Sequence, residues 1–295
     1  LHEEMLKNNN IYVITGDWAM SGALHNKPNL WYVHSPTREI WDLYEYTRKN
    51  IVPFGSRFLF DVWVSFRRIM NRIDSKRIED IVCNSANVQK RVKKYLGRES
   101  VVIHPPTETE RFHFKNPPAG GEDFWLSVNR LINFKRIEIQ LNAFSQLPDK
   151  KLIIIGSYEK SKHFQKYTDY CASIKPENVE IKNWVSQEEL INLYANCKGF
   201  ITTSKDEDFG MTPLEAMSSG KPVIAPNEGG YKETIIDGKT GILIDDINEK
   251  KLVETIKKLE KEINDDPLKY KNTCMEQAKK FDTKIFIKQI KAKIL

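Results

Sequence analysis

Cysteine is scarce and scattered in this sequence. The four cysteines, Cys83, Cys171, Cys197 and Cys274, form no CxxC pair and have no regular spacing. This pattern argues against a disulfide framework and a zinc site, and it indicates reduced thiols in a cytoplasmic protein. The sequence also has no apolar run near the ~20 residues that span a bilayer. Residues 1–10 are too polar for the apolar core of a signal peptide.

Two common nucleotide-binding motifs are missing as well. No GxGxxG follows a predicted strand, and no GxxxxGK[ST] occurs. We therefore reject an NAD-dependent oxidoreductase and a P-loop nucleotidase as interpretations. Basic residues are not interleaved with aromatic residues in a compact module, which disfavours nucleic-acid binding.

The residues that are present indicate a globular protein with two domains. The 295 residues are 40% hydrophobic and 29% charged, which is enough chain for two hydrophobic cores. The net charge of +6 is unevenly shared, because residues 1–107 hold 16 Lys and Arg against 11 Asp and Glu. Solvated helix faces are the simplest interpretation of this excess. Contact with an anionic inner membrane surface or a phosphate-bearing acceptor is the alternative.

Short apolar runs alternate with amphipathic stretches, which is typical of α/β domains with parallel sheets. The predicted strands are 11–15, 30–33, 80–84, 101–104, 124–128, 151–155, 179–181, 199–202 and 222–225. The predicted helices are 37–49, 58–74, 86–96, 137–146, 187–196 and 213–219.

The prolines and glycines between the two sets of elements predict a linker. We expect a partial N-terminal Rossmann-like domain at 1–107, a linker at 108–122 and a C-terminal Rossmann-like domain at 123–280. Residues 281–295 are expected to form a last helix. The N-terminal domain is predicted to be incomplete, because residues 1–10 have a helical pattern where a doubly wound domain begins with a strand, a tight turn and a helix.

One predicted helix carries an unusual apolar stripe. The run from Phe58 to Arg68 combines aromatic and aliphatic residues with a basic end. Packing in the core of the first domain explains it most simply, and peripheral membrane contact is the alternative.

The most informative stretch runs from Lys205 to Pro222, after a predicted strand. Ligands bind at the carboxyl ends of strands in open α/β sheets. Gly210 allows a positive φ or a close approach of the backbone to a ligand. The helix predicted to start at Thr212 offers free N–H groups to a diphosphate. Two carboxylates, Glu207 and Glu215, bracket this helix start and are suited to binding vicinal hydroxyl groups.

Glu215 has a second interpretation. Thr212, Pro213 and Glu215 fit a capping box, with Thr212 as N-cap and Glu215 reaching back to it. The residues alone leave cap and ligand open. Asp206 and Asp208 resemble a metal-binding DxD pair, but the sequence supplies no further ligands nearby, so we expect no metal.

A basic segment follows the first strand of the C-terminal domain. Arg130 leaves the strand end and Lys135 precedes a helix, so both are candidates to clamp phosphates. Arg136 is interpreted as part of a solvated turn.

Two further turns are candidates for the site. Gly229 and Gly230 enter a short helix and either line the same cleft or only reverse the chain. In the first domain, His34 stands at a predicted carboxyl strand end. A packed histidine and a catalytic one remain equally open there.

Together these motifs resemble glycosyltransferase family 4, a retaining family with the GT-B fold of two doubly wound Rossmann-like domains that face a cleft. The resemblance is carried by Glu207-x7-Glu215 with Phe209-Gly210, by the five-residue separation of Arg130 and Lys135, and by Gly229-Gly230. It covers nearly the whole chain.

The resemblance implies a role for each site residue. Glu207 would contact the donor sugar, and Glu215 would hold the ribose. The backbone at Gly210, Met211 and Thr212 would meet the sugar and phosphates.

Arg130 and Lys135 would clamp the diphosphate, and His34 would lie near the transferred sugar. The N-terminal domain would form the acceptor side, the C-terminal domain would bind the nucleotide-sugar, and the last helix would return toward the N-terminal domain. Transfer would retain configuration and need no metal or other cofactor.

Asn129 and Arg136 stand where the family usually has glycine. In this the sequence resembles a mannosyltransferase-like subgroup that takes part in the assembly of surface polysaccharides or glycolipids. The expected donor is therefore GDP-mannose, with UDP-sugars as the alternative, and the acceptor is a glycan or a lipid-linked glycan. A nucleotide-sugar-binding fragment or an inactive GT-B protein is the rival function.

Overall fold

The computed structural model describes residues 11–112, 123–156 and 162–294, with residues 162–164 described by their backbone only. The chain divides into two compact units, residues 1–105 with 286–295 and residues 106–285. The last ten residues of the expected linker, 113–122, and the helical pattern of residues 1–10 lie outside the described residues.

The first unit is built on a parallel sheet of four strands in chain order. These strands are β1 Tyr12–Thr15, β2 Asn29–Val33, β3 Asp80–Cys83 and β4 Val101–Val102. Its first three helices are α1 Tyr44–Asn50, α2 Arg57–Arg77 and α3 Ala86–Leu96. Strand β2 is buried along its whole length, as expected for a parallel strand covered on both faces.

The ends of α3 follow from its sequence. The Ser85 hydroxyl accepts a hydrogen bond from the backbone N–H of Val88, and Gly97 ends the helix at a left-handed φ of 69°. A serine N-cap and a glycine after the last turn satisfy the free backbone groups of a helix. The predicted bounds of this helix, 86–96, are confirmed.

The predicted helix 37–49 is wrong in its first half. The structure has a 3-10 turn at Arg38–Ile40 and begins α1 only at Tyr44. Between them Trp41 leaves helical geometry and stacks on Tyr95 at 4.9 Å between ring centroids. Burial of this indole in the core outweighs the local helical pattern.

The interpretation of the α2 stripe as core packing is also wrong. The helix is packed through Val64 and the polar residues Asn71, Asp74 and Ser75, which are buried. The large apolar side chains on its other face are exposed, with Phe58 at 75% and Phe66 at 58%.

The second unit contains a parallel sheet of six strands. They are β5 Phe124–Val128, β6 Lys151–Ile155, β7 Val179–Lys182, β8 Phe200–Ile201, β9 Val223–Pro226 and β10 Gly241–Ile244. The order across the sheet is β10-β9-β8-β5-β6-β7. Numbered within the unit this is the order 3-2-1-4-5-6 of a doubly wound dinucleotide-binding sheet, whose switch point lies between β5 and β8.

Helices cover this sheet and bury a continuous apolar core. They are α4 Ile137–Ser145, α5 Lys162–Ile174, α6 Gln187–Asn196, α7 Met211–Ser218, α8 Tyr231–Thr234, α9 Glu249–Asp265 and α10 Lys271–Lys279. The core includes the fully buried Trp125, Phe144 and Phe200. All four cysteines of the chain are buried and free.

The last helix, α11, spans Thr283–Ile294. Its residues from Phe286 onward belong to the first unit. There Phe286, Ile290 and Ile294 pack against a small cluster that contains Leu30 and Tyr32 of β2.

Candidate functional site

The candidate site lies in the second unit, at the carboxyl ends of β5 and β8. These adjacent parallel strands are joined by the pair Leu126 and Phe200. The loop after β5 carries Arg130 and Lys135, and the loop after β8 carries Glu207 and leads into α7. Because the strand order reverses between β5 and β8, the two loops diverge and leave a crevice for a ligand.

Lys135 and Glu207 meet in this crevice. The Lys135 Nζ donates a hydrogen bond to Glu207 Oε2 at 2.5 Å. The side chains are only 13% and 21% exposed, so the pair is weakly screened by water. A cation suited to phosphate and a carboxylate suited to sugar hydroxyls therefore stand side by side.

Tyr231, at the start of α8, is a site residue that the sequence did not single out. Its buried hydroxyl donates to Glu207 Oε2 at 3.4 Å and lies 2.7 Å from Thr202 Oγ1. Burial raises its pKa well above the ordinary value, and the charge of Glu207 adds to the rise. Tyr231 therefore stays a neutral donor that orients Glu207.

The Gly229-Gly230 turn fixes the backbone of Glu207. The Gly230 N–H donates to the Glu207 carbonyl at 2.7 Å. Gly229 has a φ of 61°, and a Cβ there would lie 2.5 Å from the same carbonyl oxygen. The turn therefore packs directly against the backbone of the loop that carries Glu207.

Helix α7 begins earlier than the sequence predicts, and the capping box is wrong. Gly210, with φ 94°, is the N-cap, and it has no side chain that could cap the helix. Thr212 is the second helical residue, and Pro213 lies in the first turn, where a missing N–H costs little. The backbone at Gly210, Met211 and Thr212 thus forms the start of the helix, and helix N-termini attract anions.

Glu215 points away from the expected cap. Its Oε2 accepts a hydrogen bond of 2.7 Å from the hydroxyl of Tyr194, a fully buried residue of α6. Burial raises the pKa of Glu215 above its ordinary value, and the Tyr194 hydrogen bond and the charge of Arg111 oppose the rise. Tyr194 is the second site residue that the sequence did not single out.

Arg136 is not part of a solvated turn, contrary to the sequence-based interpretation. Its guanidinium donates to the carbonyl oxygens of Thr203 at 2.6 Å and Ser204 at 3.2 Å. It also forms an ion pair with Glu228, whose other oxygen accepts from the Asp206 N–H. Arg136 therefore ties the loop after β5 to the loop after β8.

Two predicted residues are not joined to these contacts. Arg130 is exposed beyond the end of β5, and no hydrogen bond or ion pair of its side chain is found within the described residues. His34 belongs to the first unit and is exposed at the end of β2. Its ring packs edge-on against Tyr32 at 5.3 Å between centroids.

Across residues 11–112, 123–156 and 162–294 there is no cluster of three or more His, Cys, Asp or Glu side chains that could hold a metal. Among the same residues no helix is both long and apolar enough to cross a membrane.

Comparison with known proteins identifies the family. Residues 108–281 match the model described as Glycosyl transferases group 1. The alpha-1,3/1,6-mannosyltransferase ALG2 of Dictyostelium discoideum is 31% identical over an alignment of 204 positions, which covers 56% of this chain and 49% of that protein. The chain spans about half the length of the relatives that it matches.

Two solved structures share the fold. Sucrose-phosphate synthase from Thermosynechococcus elongatus matches 96% of this chain and 72% of its own, with a TM-score of 0.77 and 19% identity. Anabaena Alr3699/HepE in complex with UDP-glucose matches 96% of this chain and 78% of its own, with a TM-score of 0.75 and 18% identity. The chain therefore has the GT-B fold and belongs to the glycosyl transferases group 1 family, which confirms the resemblance to glycosyltransferase family 4.

Proposed function

We propose that the chain transfers a hexose from a nucleoside-diphosphate donor to a hydroxyl group of a glycan or lipid-linked acceptor, with retention of configuration. The observation that carries the proposal is the ion pair of Lys135 and Glu207 at the switch point of the second sheet. It supports the proposal because an ammonium group suited to phosphate and a carboxylate suited to hydroxyls stand side by side at the crevice where such sheets bind nucleotides.

The surrounding groups fit the parts of such a donor. The start of α7, with the N–H groups of Met211 and Thr212, suits the diphosphate. Lys135 and the exposed Arg130 supply positive charge to the same phosphates. Glu207 is proposed to bind hydroxyls of the donor sugar, and Glu215 those of the ribose.

The proposed reaction needs no dedicated base. The bond between the anomeric carbon and the diphosphate breaks as the acceptor oxygen bonds to that carbon from the same face. The acceptor proton passes to an oxygen of the departing diphosphate. Lys135, Arg130 and the α7 N-terminus stabilise the negative charge that develops there, so their effect falls on the rate as well as on binding.

GDP-mannose is the proposed donor, and mannose is the sugar that would be transferred. The support is the ALG2 relative, a mannosyltransferase by name, together with Asn129 and Arg136 in place of glycine. The complex of Alr3699/HepE with UDP-glucose keeps a UDP-sugar as the alternative.

Transfer is proposed to be independent of metal, because the cationic side chains and the helix start supply the positive charge that a divalent ion would otherwise provide. His34 is proposed to lie near the transferred sugar. His34→Ala is then expected to slow transfer while leaving diphosphate affinity within about twofold.

The test is transfer from GDP-mannose and from UDP-glucose to a panel of glycan and lipid-linked acceptors, with and without EDTA. Product with retained configuration in both conditions supports the proposal. Tight donor binding with no product for any acceptor would instead assign the rival function, a nucleotide-sugar-binding protein. Transfer abolished by EDTA and restored by a divalent metal would contradict metal independence.

A further inference from the structure

Helix α2 of the first unit carries large apolar side chains that no part of the described chain covers. Phe58, Leu59, Val62, Phe66 and Ile69 are 75%, 70%, 54%, 58% and 55% exposed. Ile73 continues the row at 40%, and Trp63 borders it at 42%. We call Phe58, Leu59, Val62, Phe66, Ile69 and Ile73 the outer face of α2.

The outer face is one continuous stripe. Its residues recur at steps of three and four along the helix, so they lie above one another on one side. Val64 and Asn71, which are buried, occupy the opposite side. Packing within the first unit therefore leaves the stripe unused, and Phe54, 84% exposed in the turn before α2, extends it. An exposed apolar patch of this kind marks an interaction surface.

The charge of α2 favours an anionic partner. The helix holds six Arg and Lys against two Asp. Lys76 is exposed near the end of the stripe. Arg67 lies over the ring of Trp18, 4.1 Å from its centroid, and Trp18 is itself 62% exposed.

We propose that the outer face of α2 docks on an anionic lipid surface. Phenylalanine and leucine on one face, with tryptophan, arginine and lysine around it, are the residues of a helix that lies in a membrane interface, with its apolar face in the acyl boundary. A second copy of this chain fits less well, because two helices of this net positive charge repel each other.

The proposal is independent of the sugar-transfer site. It concerns the first unit alone, and binding to vesicles needs neither donor nor acceptor. If the chain does not bind vesicles, the proposed sugar transfer is not contradicted. If it does not transfer a sugar, the proposed lipid-binding surface is not contradicted.

The experiment is sedimentation of the chain with vesicles of phosphatidylcholine, alone or mixed with phosphatidylglycerol, at low and high salt. The test variant combines Phe58→Ser and Phe66→Ser. The matched control combines Tyr170→Ser and Leu268→Ser, which remove apolar residues of the second unit that are 46% and 51% exposed. A third variant, Lys76→Gln, removes one exposed charge.

The unaltered chain is expected to bind phosphatidylglycerol vesicles, and to bind them less tightly as salt rises. The test variant is expected to bind at least about tenfold more weakly, Lys76→Gln about fivefold more weakly, and the control like the unaltered chain. Equal binding by test and control variants, or no binding at low salt, would overturn the proposal.

Two further measurements, fluorescence quenching and light scattering, cover a misfolded test variant and a dimer. Should the test variant fail to fold by circular dichroism, lipids brominated in the acyl chains are mixed with the unaltered chain and with Trp63→Phe. Quenching that is smaller in Trp63→Phe supports the proposal, and absence of quenching contradicts it. A dimer seen by light scattering that is lost in the test variant, without lipid binding, would assign the face to a second copy.

Discussion

Lys135 and Glu207 form an ion pair in the crevice between β5 and β8. The ammonium group lies 2.5 Å from the carboxylate oxygen, and Tyr231 shares that oxygen. A bound diphosphate would compete with Glu207 for Lys135, because a phosphate oxygen is an equally good acceptor for an ammonium group. We expect Lys135 to exchange partners when the donor binds, which frees one oxygen of Glu207 for a sugar hydroxyl.

Lys135→Ala is accordingly expected to weaken diphosphate binding by about tenfold or more, since a charge-assisted hydrogen bond contributes about 1.5–3 kcal/mol. Lys205→Ala is the matched control, because Lys205 is an exposed lysine of the neighbouring loop and should leave affinity unchanged. Titration calorimetry with GDP and UDP measures both. An equal loss of diphosphate affinity in the two variants would mean that the overall positive charge of the loops, and not the position of Lys135, determines binding.

Glu215 makes the stability of the chain depend on pH. Burial raises its pKa, so the folded chain holds this proton more tightly than the unfolded chain does. The residue therefore favours folding at acidic pH, and that contribution is lost as the pH rises through the raised pKa.

Glu215→Gln keeps an acceptor for Tyr194 and cannot ionise. Near pH ~7 the variant is expected to melt at a higher temperature than the unaltered chain. The difference should be about 2–4 °C for each kcal/mol that ionisation of the buried Glu215 costs the folded chain. The difference should vanish below pH ~4, where a glutamate is protonated in both states. Thermal unfolding at several pH values measures this, and a difference that is constant with pH would refute the assignment.

The site residues that the sequence revealed are those in local motifs. Glu207 stands at a fixed spacing from Glu215, and Lys135 at a fixed spacing from Arg130. Both were therefore predicted as candidates from the sequence. Tyr194 and Tyr231 were missed, because they reach Glu215 and Glu207 from 21 and 24 positions away. The signal for Tyr231 was its place directly after Gly229-Gly230, where a short helix begins.

At the scale of elements, the glycine turn before α8 positions the loop that carries Glu207. Gly229→Ala would add backbone strain of about 1–2 kcal/mol and also force the turn away from the Glu207 backbone. We expect a stability loss above about 2 kcal/mol and donor binding at least about tenfold weaker.

Gly238→Ala is the matched control for this change. Gly238 has a similar φ of 72°, and nothing in the described part of the chain lies within 4 Å of an added Cβ. It should therefore lose stability only through strain and keep its affinity. Denaturant unfolding and calorimetry compare the two, and identical effects would show that the contact with Glu207 is unimportant.

The boundaries of elements were harder to predict than their existence. The sequence starts α7 at Thr212 because threonine followed by proline is a good local start signal. The structure starts it at Met211 after Gly210, where an added Cβ would lie 2.8 Å from the ring of Tyr231. That contact is made in three dimensions and leaves no trace in the local pattern.

For the whole molecule, periodicity predicted the α/β class and the two sets of elements, because strands buried on both faces are short apolar runs. Periodicity identified α2 as a helix but not which of its two apolar sides is buried. Val64 packs inward while Phe58 and Phe66 stay exposed, which only the folded unit shows.

We propose that the crevice between β5 and β8 binds a nucleoside diphosphate through Arg130, Lys135, the α7 N-terminus and Glu215. The most direct test is calorimetric titration of the chain with GDP, UDP, ADP and GDP-mannose, repeated with Glu215→Ala and Arg130→Ala. We expect GDP and GDP-mannose to bind best, and each substitution to weaken their binding by about tenfold. Binding of none of the four, or unchanged affinity in both variants, would contradict it.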